Sequence, residues 1–210
     1  MMNQSNVIRV LIADDHSIVR QGLVALLEQE PDMMVVGQAK DGLEAVTGFR
    51  EHQPDVALMD LRMPEMDGVA AITAICGEFA DARIIVLTTY DSDEDIYRGL
   101  QAGARGYLLK DTEPDELFRA IRAVIAGKKY IPLIVGAKLV ERMNSPQLSD
   151  RELDIIRLIV AGNNNHEISG VLHISESTVK FHISNLLSKL GVNDRTQAAI
   201  AALKRGIVSL

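Results

Sequence analysis

The sequence predicts a doubly wound α/β sandwich on a five-stranded parallel sheet, followed by a small all-α domain. Three observations carry this. Over residues 7–127 short β-rich apolar runs alternate with amphipathic helical stretches, and after Gly127 the strand pattern stops. The charge balance also reverses there, with 11 Lys and Arg against 22 Asp and Glu up to residue 127 and 11 against 7 beyond it. At 210 residues and 47% hydrophobic content, there is enough apolar material for a core in each part.

The strand runs are 7–12, 34–37, 56–59, 84–87 and 107–109. They are nearly continuously apolar and bounded by turn residues, as strands covered by helices on both faces are. The helix after the fifth run covers 114–126, with Gly127 placed to cap it. Residues 128–147 read as a linker carrying one short helix, 136–143. Ser149 and Glu152 have the spacing of a capping box and open a helix over 150–161, ended by Gly162 and three asparagines. Apolar periodicity then predicts helices over 165–172, 176–190 and 195–205. The expected domains are therefore 7–127 and 148–210, joined by 128–147.

Composition narrows the function classes. No apolar run approaches the roughly 18 residues of a membrane span, and the polar stretch Met1 to Asn6 does not look like an export signal. A single cysteine, Cys76, in the apolar helical stretch 69–76, excludes an intrachain disulfide and fits a reducing cytoplasm. The basic excess of the second part is too small to argue for nucleic acid by itself.

Chemistry concentrates at the strand ends. Asp14 and Asp15 follow the first run, Asp60 the third, Thr88 the fourth and Lys110 the fifth. In an open parallel sheet these carboxyl ends line one crevice, so the five residues converge. Three carboxylates held together call for a cation, and oxygen ligands with room for water and phosphate suit Mg²⁺. Lys110 adds a positive charge for an incoming phosphoryl group. The set permits phosphoryl transfer to a carboxylate, and Asp60, alone at its strand end, is the best nucleophile.

Over residues 7–127 the chain resembles the receiver domains of two-component response regulators, which are flavodoxin-like in fold. The matching stretches are LIADDH (11–16), LMDLRMPEMDG (58–68), IIVLTTYD (84–91) and GYLLKD (106–111). The resemblance implies that a sensor histidine kinase phosphorylates Asp60. It implies that Asp15, Asp60 and the Arg62 backbone carbonyl hold Mg²⁺, with Asp14 behind them. It also implies a switch pair, in which the Thr88 hydroxyl moves toward the phosphoryl group and the Tyr107 ring turns inward. Where many receivers have Lys-Pro this chain has Lys110-Asp111, so the cis peptide of those relatives is not required. Arg62 and Tyr90, two residues after Asp60 and Thr88, are bulky enough to flank a hydrolytic water and predict slow loss of phosphate.

In the second part, Val179, Ile183, Leu186, Leu187 and Leu190 form one apolar stripe. The opposite face carries Ser177, Phe181, Ser184, Asn185 and Ser188, flanked by Lys180, His182 and Lys189. A shorter helix with Ile168, Val171 and Leu172 precedes it through a tight turn at 173–175, giving a helix-turn-helix. LSDRELDIIRLIVAG (148–162) and ISESTVKFHISNLLSKLGVNDRTQAAIAAL (174–203) resemble the LuxR-type helix-turn-helix family. Together with the receiver stretches this is the arrangement of NarL/FixJ-type regulators. It implies phosphate contacts from Thr178, Lys189 and Arg195 and base-edge contacts from Lys180, Phe181 and Ser184, with Asn185 on the same face. His166 stands where many relatives have lysine, which makes a phosphate contact there lost or dependent on pH.

The expected mechanism is phosphorylation of Asp60, its report by Thr88 and Tyr107, and release of the helix-turn-helix to bind double-stranded promoter DNA as a homodimer, with RNA polymerase a further candidate partner. The small-residue face of the last helix, Ala198, Ala199, Ala202 and Leu203, is the expected contact between DNA-bound protomers. Phe181 is expected to rest on the receiver before phosphorylation and on a thymine methyl afterwards. No enzyme activity is expected beyond Mg²⁺-dependent transfer to Asp60 and its reversal by water. A phosphohydrolase of the haloacid-dehalogenase type needs aspartates two apart after its first strand, whereas Asp14 and Asp15 are adjacent. A zinc protease reading of His166-Glu167 fails because Gly170 stands where the second histidine belongs. The competing class is a phosphorylation-independent scaffold built on the receiver, against which the five ionic and switch groups argue.

Overall fold

The computed structural model describes residues 7–89, 92–144, 148–205 and 207–208. They divide into two compact units, the first comprising the residues before Ser92 together with Asp95–Leu139, the second Ser92–Glu94 together with the residues from Val140 onward.

The first unit runs β1 (Ile8–Ala13), α1 (Ser17–Leu27), β2 (Met33–Ala39), α2 (Gly42–His52), β3 (Val56–Met59), α3 (Gly68–Glu78), β4 (Ile84–Thr88), α4 (Asp93–Gln101), β5 (Gly106–Leu109) and α5 (Pro114–Ile125). All pairings are parallel, in the order β2-β1-β3-β4-β5. Every residue of β3 and β4 is buried. Leu11, Met59, Ile72 and Val86 belong to one apolar cluster, and Val10, Leu58, Leu87 and Ile121 to another. Because neighbouring residues of a strand point to opposite faces, two buried faces demand an uninterrupted apolar run, and this is why the strands read so plainly. Asp41 and Asp67 cap α2 and α3, accepting from the Glu44 and Ala70 N–H groups. Gly127 follows the end of α5 at φ +81°, the left-handed conformation expected of it.

The largest departure concerns 128–147. The Tyr107 N–H donates to the Tyr130 carbonyl at 3.0 Å and the Tyr130 N–H to the Arg105 carbonyl at 2.9 Å, forming a one-residue parallel bridge beside β5. Beyond it, α6 (Leu133–Asn144) starts three residues earlier than expected and buries Val135 in the cluster that holds Val86 and Tyr107. Residues 128–139 thus complete the first unit instead of linking it. The physical reason is the free edge of β5, whose N–H and C=O groups need partners. Residues 145–147 of the expected linker lie outside the described residues. Smaller differences are that β1 and β2 extend to Ala13 and Ala39 and that Thr88 is the last residue of β4 instead of following it.

The second unit packs α7 (Asp150–Val160), α8 (Asn165–Leu172), α9 (Glu176–Leu190) and α10 (Arg195–Lys204) around Ile155, Ile156, Ile168, Val179, Leu186, Leu190 and Ala202. The Ser149–Glu152 capping box is formed. A second box, Asn164 with Glu167, opens α8, so the asparagines that end α7 also start its neighbour. His173, left-handed at φ 52°, closes α8, and Ser175 caps α9 by accepting from the Thr178 N–H. Among the described residues no helix is long and apolar enough to cross a membrane.

Candidate functional site

Growth of the sheet reverses between β1 and β3, and at such a switch the carboxyl ends of the strands open a crevice. Asp14 leaves β1 there and donates its N–H to the Ala39 carbonyl, while Asp60 leaves β3 and donates to the Ala13 carbonyl. Both carboxylates are buried, with Asp60 only 3% exposed. Lys110, beyond β5, spans them: its Nζ lies 2.6 Å from Asp14 Oδ2 and 2.6 Å from Asp60 Oδ2. Burial pushes the Lys110 ammonium toward deprotonation, but its bonds to Asp14 and Asp60 outweigh this and raise its pKa above the usual lysine value.

The remaining Asp60 oxygen, Oδ1, accepts from the Leu61 N–H at 2.7 Å. Gly68 makes this loop possible, because a Cβ there would fall 2.0 Å from the Asp60 carbonyl oxygen and 2.8 Å from Leu61 Cα. Arg20 donates to the Asp14 carbonyl, and the His16 N–H donates to Asp14 Oδ1 at 2.9 Å. Asp15, more open, lies 2.7 Å from His16 Nδ1. Ligating atoms of Asp14, Asp15, His16 and Asp60 all fall within 4.8 Å of one another. Three carboxylates against one ammonium leave a net negative crevice rich in oxygen donors, the donor set of hard divalent cations. The sequence pattern brought Asp14, Asp15 and Asp60 here; it missed His16 and Arg20, although both adjoin the same motif.

Thr88 and Tyr107 are both fully buried. The Tyr107 ring already lies inward, whereas an inward turn was expected only on phosphorylation. Gly99 on α4 provides room: a Cβ there would stand 3.7 Å from Tyr107 Cε2 and 3.3 Å from Val86 Cγ2. The Arg62 guanidinium reaches Asp95 of α4 at 3.6 Å. Tyr90, expected beside it, and Asp91 lie outside the described residues. Among the described residues there is no cis peptide, so Lys110–Asp111 is trans.

On α9 the predicted polarity holds. Val179, Leu186 and Leu190 are buried; Ser177, Lys180, Ser184 and Ser188 are exposed; and Phe181, at 62% exposure, meets the His182 ring edge-on. Asn185 and Thr178 are half-buried, with the Thr178 hydroxyl 2.8 Å from that of Ser175.

Two expected phosphate contacts are engaged elsewhere. Lys189 donates to Glu152 Oε2 at 2.7 Å, and that carboxylate is 3% exposed, so the ammonium neutralises a charge buried under α7. Arg195 donates to the Asn163 carbonyl at 2.5 Å and reaches Asn165 Oδ1 at 3.5 Å, bracing the loop between α7 and α8. The family resemblance implies DNA phosphate for both; the partners they hold here lie 37 and 32 residues away, where no local pattern points.

This geometry agrees with the comparisons to known proteins. Residues 10–122 match the family described as response regulator receiver domain, and residues 146–202 the bacterial regulatory proteins of the luxR family. The chain is 45% identical over 210 residues to the transcriptional regulatory protein LiaR of Bacillus subtilis, covering 96% of this chain and all of that one. It is 39% identical over 206 residues to the response regulator VraR of Staphylococcus aureus, covering 96% and 99%. Among solved structures it is similar to RcsB of Salmonella enterica serovar Typhimurium bound to promoter P1flhDC with the phosphomimetic BeF3⁻, at 30% identity, TM-score 0.76 and coverage of 95% and 99%. A doubly wound receiver with an acidic crevice joined to a helix-turn-helix defines a two-component transcription regulator. The chain belongs to the response-regulator family, with a receiver domain and a LuxR-type DNA-binding domain.

Proposed function

We propose that Asp60 is the phosphoacceptor of this regulator and that its phosphorylation controls promoter binding by α9. The observation that carries the reading is Lys110 Nζ, held 2.6 Å from the oxygens of two buried aspartates at the sheet's switch point. In the transfer, an Asp60 carboxylate oxygen forms a bond to phosphorus as the N–P bond of a kinase phosphohistidine breaks, and the imidazole leaves with that electron pair. Lys110 remains on the Asp60 side to balance charge on the phosphoryl oxygens. The Leu61 N–H keeps Oδ1 fixed and so orients the carboxylate. Asp14, Asp15, Asp60 and the Arg62 carbonyl are the residues that would hold Mg²⁺, which when bound neutralises charge on the transferring group. Thr88 and Tyr107 serve as the switch pair, and Arg62 flanks the path of a hydrolytic water.

At the output end, Lys180, Phe181 and Ser184 read bases from the exposed face of α9, with Asn185 and Thr178 at its margin. Phe181 is free to meet a thymine methyl. Lys189 and Arg195 act by fixing the domain that presents this face. A homodimer on inverted half-sites, a sensor histidine kinase as phosphoryl donor, and cytoplasmic action complete the reading. Treatment with acetyl phosphate and Mg²⁺, followed by intact mass, tests it: one phosphoryl group is expected on the wild type and none on Asp60→Asn. An unmodified wild type would favour the phosphorylation-independent scaffold.

A further inference from the structure

β5 is the last strand of the sheet, and its outer edge is taken by Tyr130. The Tyr107 N–H donates to the Tyr130 carbonyl at 3.0 Å and the Tyr130 N–H to the Arg105 carbonyl at 2.9 Å, so both main-chain polar groups of Tyr130 grip the strand around the proposed switch residue. The side chains that follow divide between the two faces of the sheet. The Tyr130 ring packs with the cluster of Leu87, Leu108 and Ile121, and its hydroxyl donates to Glu116 Oε1 of α5 at 3.2 Å. Ile131 and Val135, the latter in the first turn of α6, pack instead with the cluster of Val86, Ile96 and Tyr107. Residues 130–135 therefore hold the β5 edge from both sides, and one of those sides contains the Tyr107 ring.

We infer that Tyr130 is a positioning residue for the switch: its main chain holds Tyr107 in the inward setting and passes the position of β5 on to α6. This rests on the proposed switch role of Thr88 and Tyr107. On the inner side of Tyr130, β5 is paired with β4 from Ile85 to Thr88, and the Lys110 N–H donates to the Thr88 carbonyl at 2.9 Å. Thr88, Tyr107 and Lys110 thus lie on one hydrogen-bonded ribbon. On the outer side, only Ile131 and Pro132 separate Tyr130 from α6, and the Gly136 N–H bonds back to the Pro132 carbonyl at 2.9 Å. Proline fixes its own φ and restricts the residue before it, so this connection is short and stiff.

A shift of Tyr107 away from the inward setting moves the donor that the Tyr130 carbonyl accepts from and disturbs the cluster in which Val135 is 1% exposed. Main-chain groups at a sheet edge resist losing their partners, and a packed core resists partial displacement. The two settings of Tyr107 therefore correspond to two settings of 130–135. Linkage makes the dependence reciprocal: what favours the inward ring tightens the Tyr130 bonds, and what loosens Tyr130 weakens the response to phosphorylation.

Two measurements on the full-length chain test this. The first is residue-resolved amide hydrogen exchange of the wild type before and after acetyl phosphate and Mg²⁺. The Tyr130 N–H is expected to exchange at least about fivefold more slowly once phosphorylated, relative to the Ala57 N–H on β3, because coupling between two sites ordinarily starts near that factor. The second is the tightening on a selected duplex that phosphorylation produces. Tyr130→Pro cannot donate to the Arg105 carbonyl; it is expected to accept the phosphoryl group yet lose the tightening to within about twofold. Tyr130→Phe keeps both main-chain bonds, gives up only Glu116, and is expected to keep the tightening. A merely structural role would lower the melting temperature of Tyr130→Pro and leave the tightening alone. Tyr130 exchange unchanged by verified phosphorylation, or a Tyr130→Pro that tightens like the wild type, would overturn the proposal while the phosphoacceptor reading stood. A phosphorylated wild type that does not tighten would overturn that reading and the proposal with it.

Discussion

Replacing Lys189 by methionine separates two roles that its position on α9 leaves open. Removing one partner of a buried ion pair costs about 3–5 kcal/mol, because the other charge stays buried. Here Lys189 is 30% exposed and the Ser149 N–H still bonds Glu152 Oε2 at 2.7 Å, so water and that donor relieve part of the loss. A cost of about 2 kcal/mol remains. For a domain of about 60 residues this lowers the melting temperature by about 8–16 °C. Thermal unfolding of the full chain, followed by helical circular dichroism, should show the loss, and Glu152→Gln combined with Lys189→Met should recover part of it. The pH dependence has a defined sign. Burial pushes the Glu152 carboxyl up, but Lys189 and the Ser149 donors outweigh it and hold the pKa below the usual carboxylate value. The pair's contribution is therefore complete above the unfolded carboxylate value and disappears as pH falls through the lower folded one, so the stability gap between wild type and Lys189→Met should be full near neutral pH and close in acid. An unchanged melting temperature, with a salt slope of DNA binding reduced by about 0.9, would refute this account and make Lys189 a phosphate contact.

Gly68→Ala should abolish acetyl phosphate labelling and lower stability, since its Cβ would fall 2.0 Å from the Asp60 carbonyl oxygen; normal labelling would show that the loop tolerates a side chain. Lys110→Met in EDTA should be destabilised by about 2–4 kcal/mol in urea unfolding, with Mg²⁺ restoring part, because Asp14 and Asp60 lose their shared cation. The raised pKa of Lys110 keeps its contribution complete at neutral pH and loses it only as pH rises through the folded value, above the usual lysine range. Lys180→Ala should reduce the salt slope of DNA binding by about 0.9 per protomer, whereas Phe181→Ala should weaken specific binding with the slope unchanged; the reverse pattern in a salt titration would reassign both residues.

The sheet was legible in the sequence because strands buried on both faces cannot alternate polarity, as 56–59 and 84–87 illustrate. The crevice was legible because strand ends converge whatever lies between them, which brought Asp14, Asp60 and Lys110 together from three segments. Tyr130 was not legible: a bridge of one residue produces no periodicity, so 128–139 read as linker although it covers the β5 edge. The inward position of Tyr107 depends on space left by Gly99 on another element, which motif text does not encode. Lys189 and Arg195 show the same limit for charge. Residue type gives the sign of a side chain, but only the fold shows that Glu152 and the Asn163 carbonyl already use them.

The central claim joins Asp60 to α9. Its most direct test is the affinity of the full-length chain for a selected duplex, measured before and after treatment with acetyl phosphate and Mg²⁺, beside Asp60→Asn. Coupling between two sites of this kind is ordinarily about 5- to 150-fold. The account predicts tightening within that range for the wild type and none for Asp60→Asn. Equal wild-type affinity before and after verified phosphorylation, or the same tightening in Asp60→Asn, would contradict it.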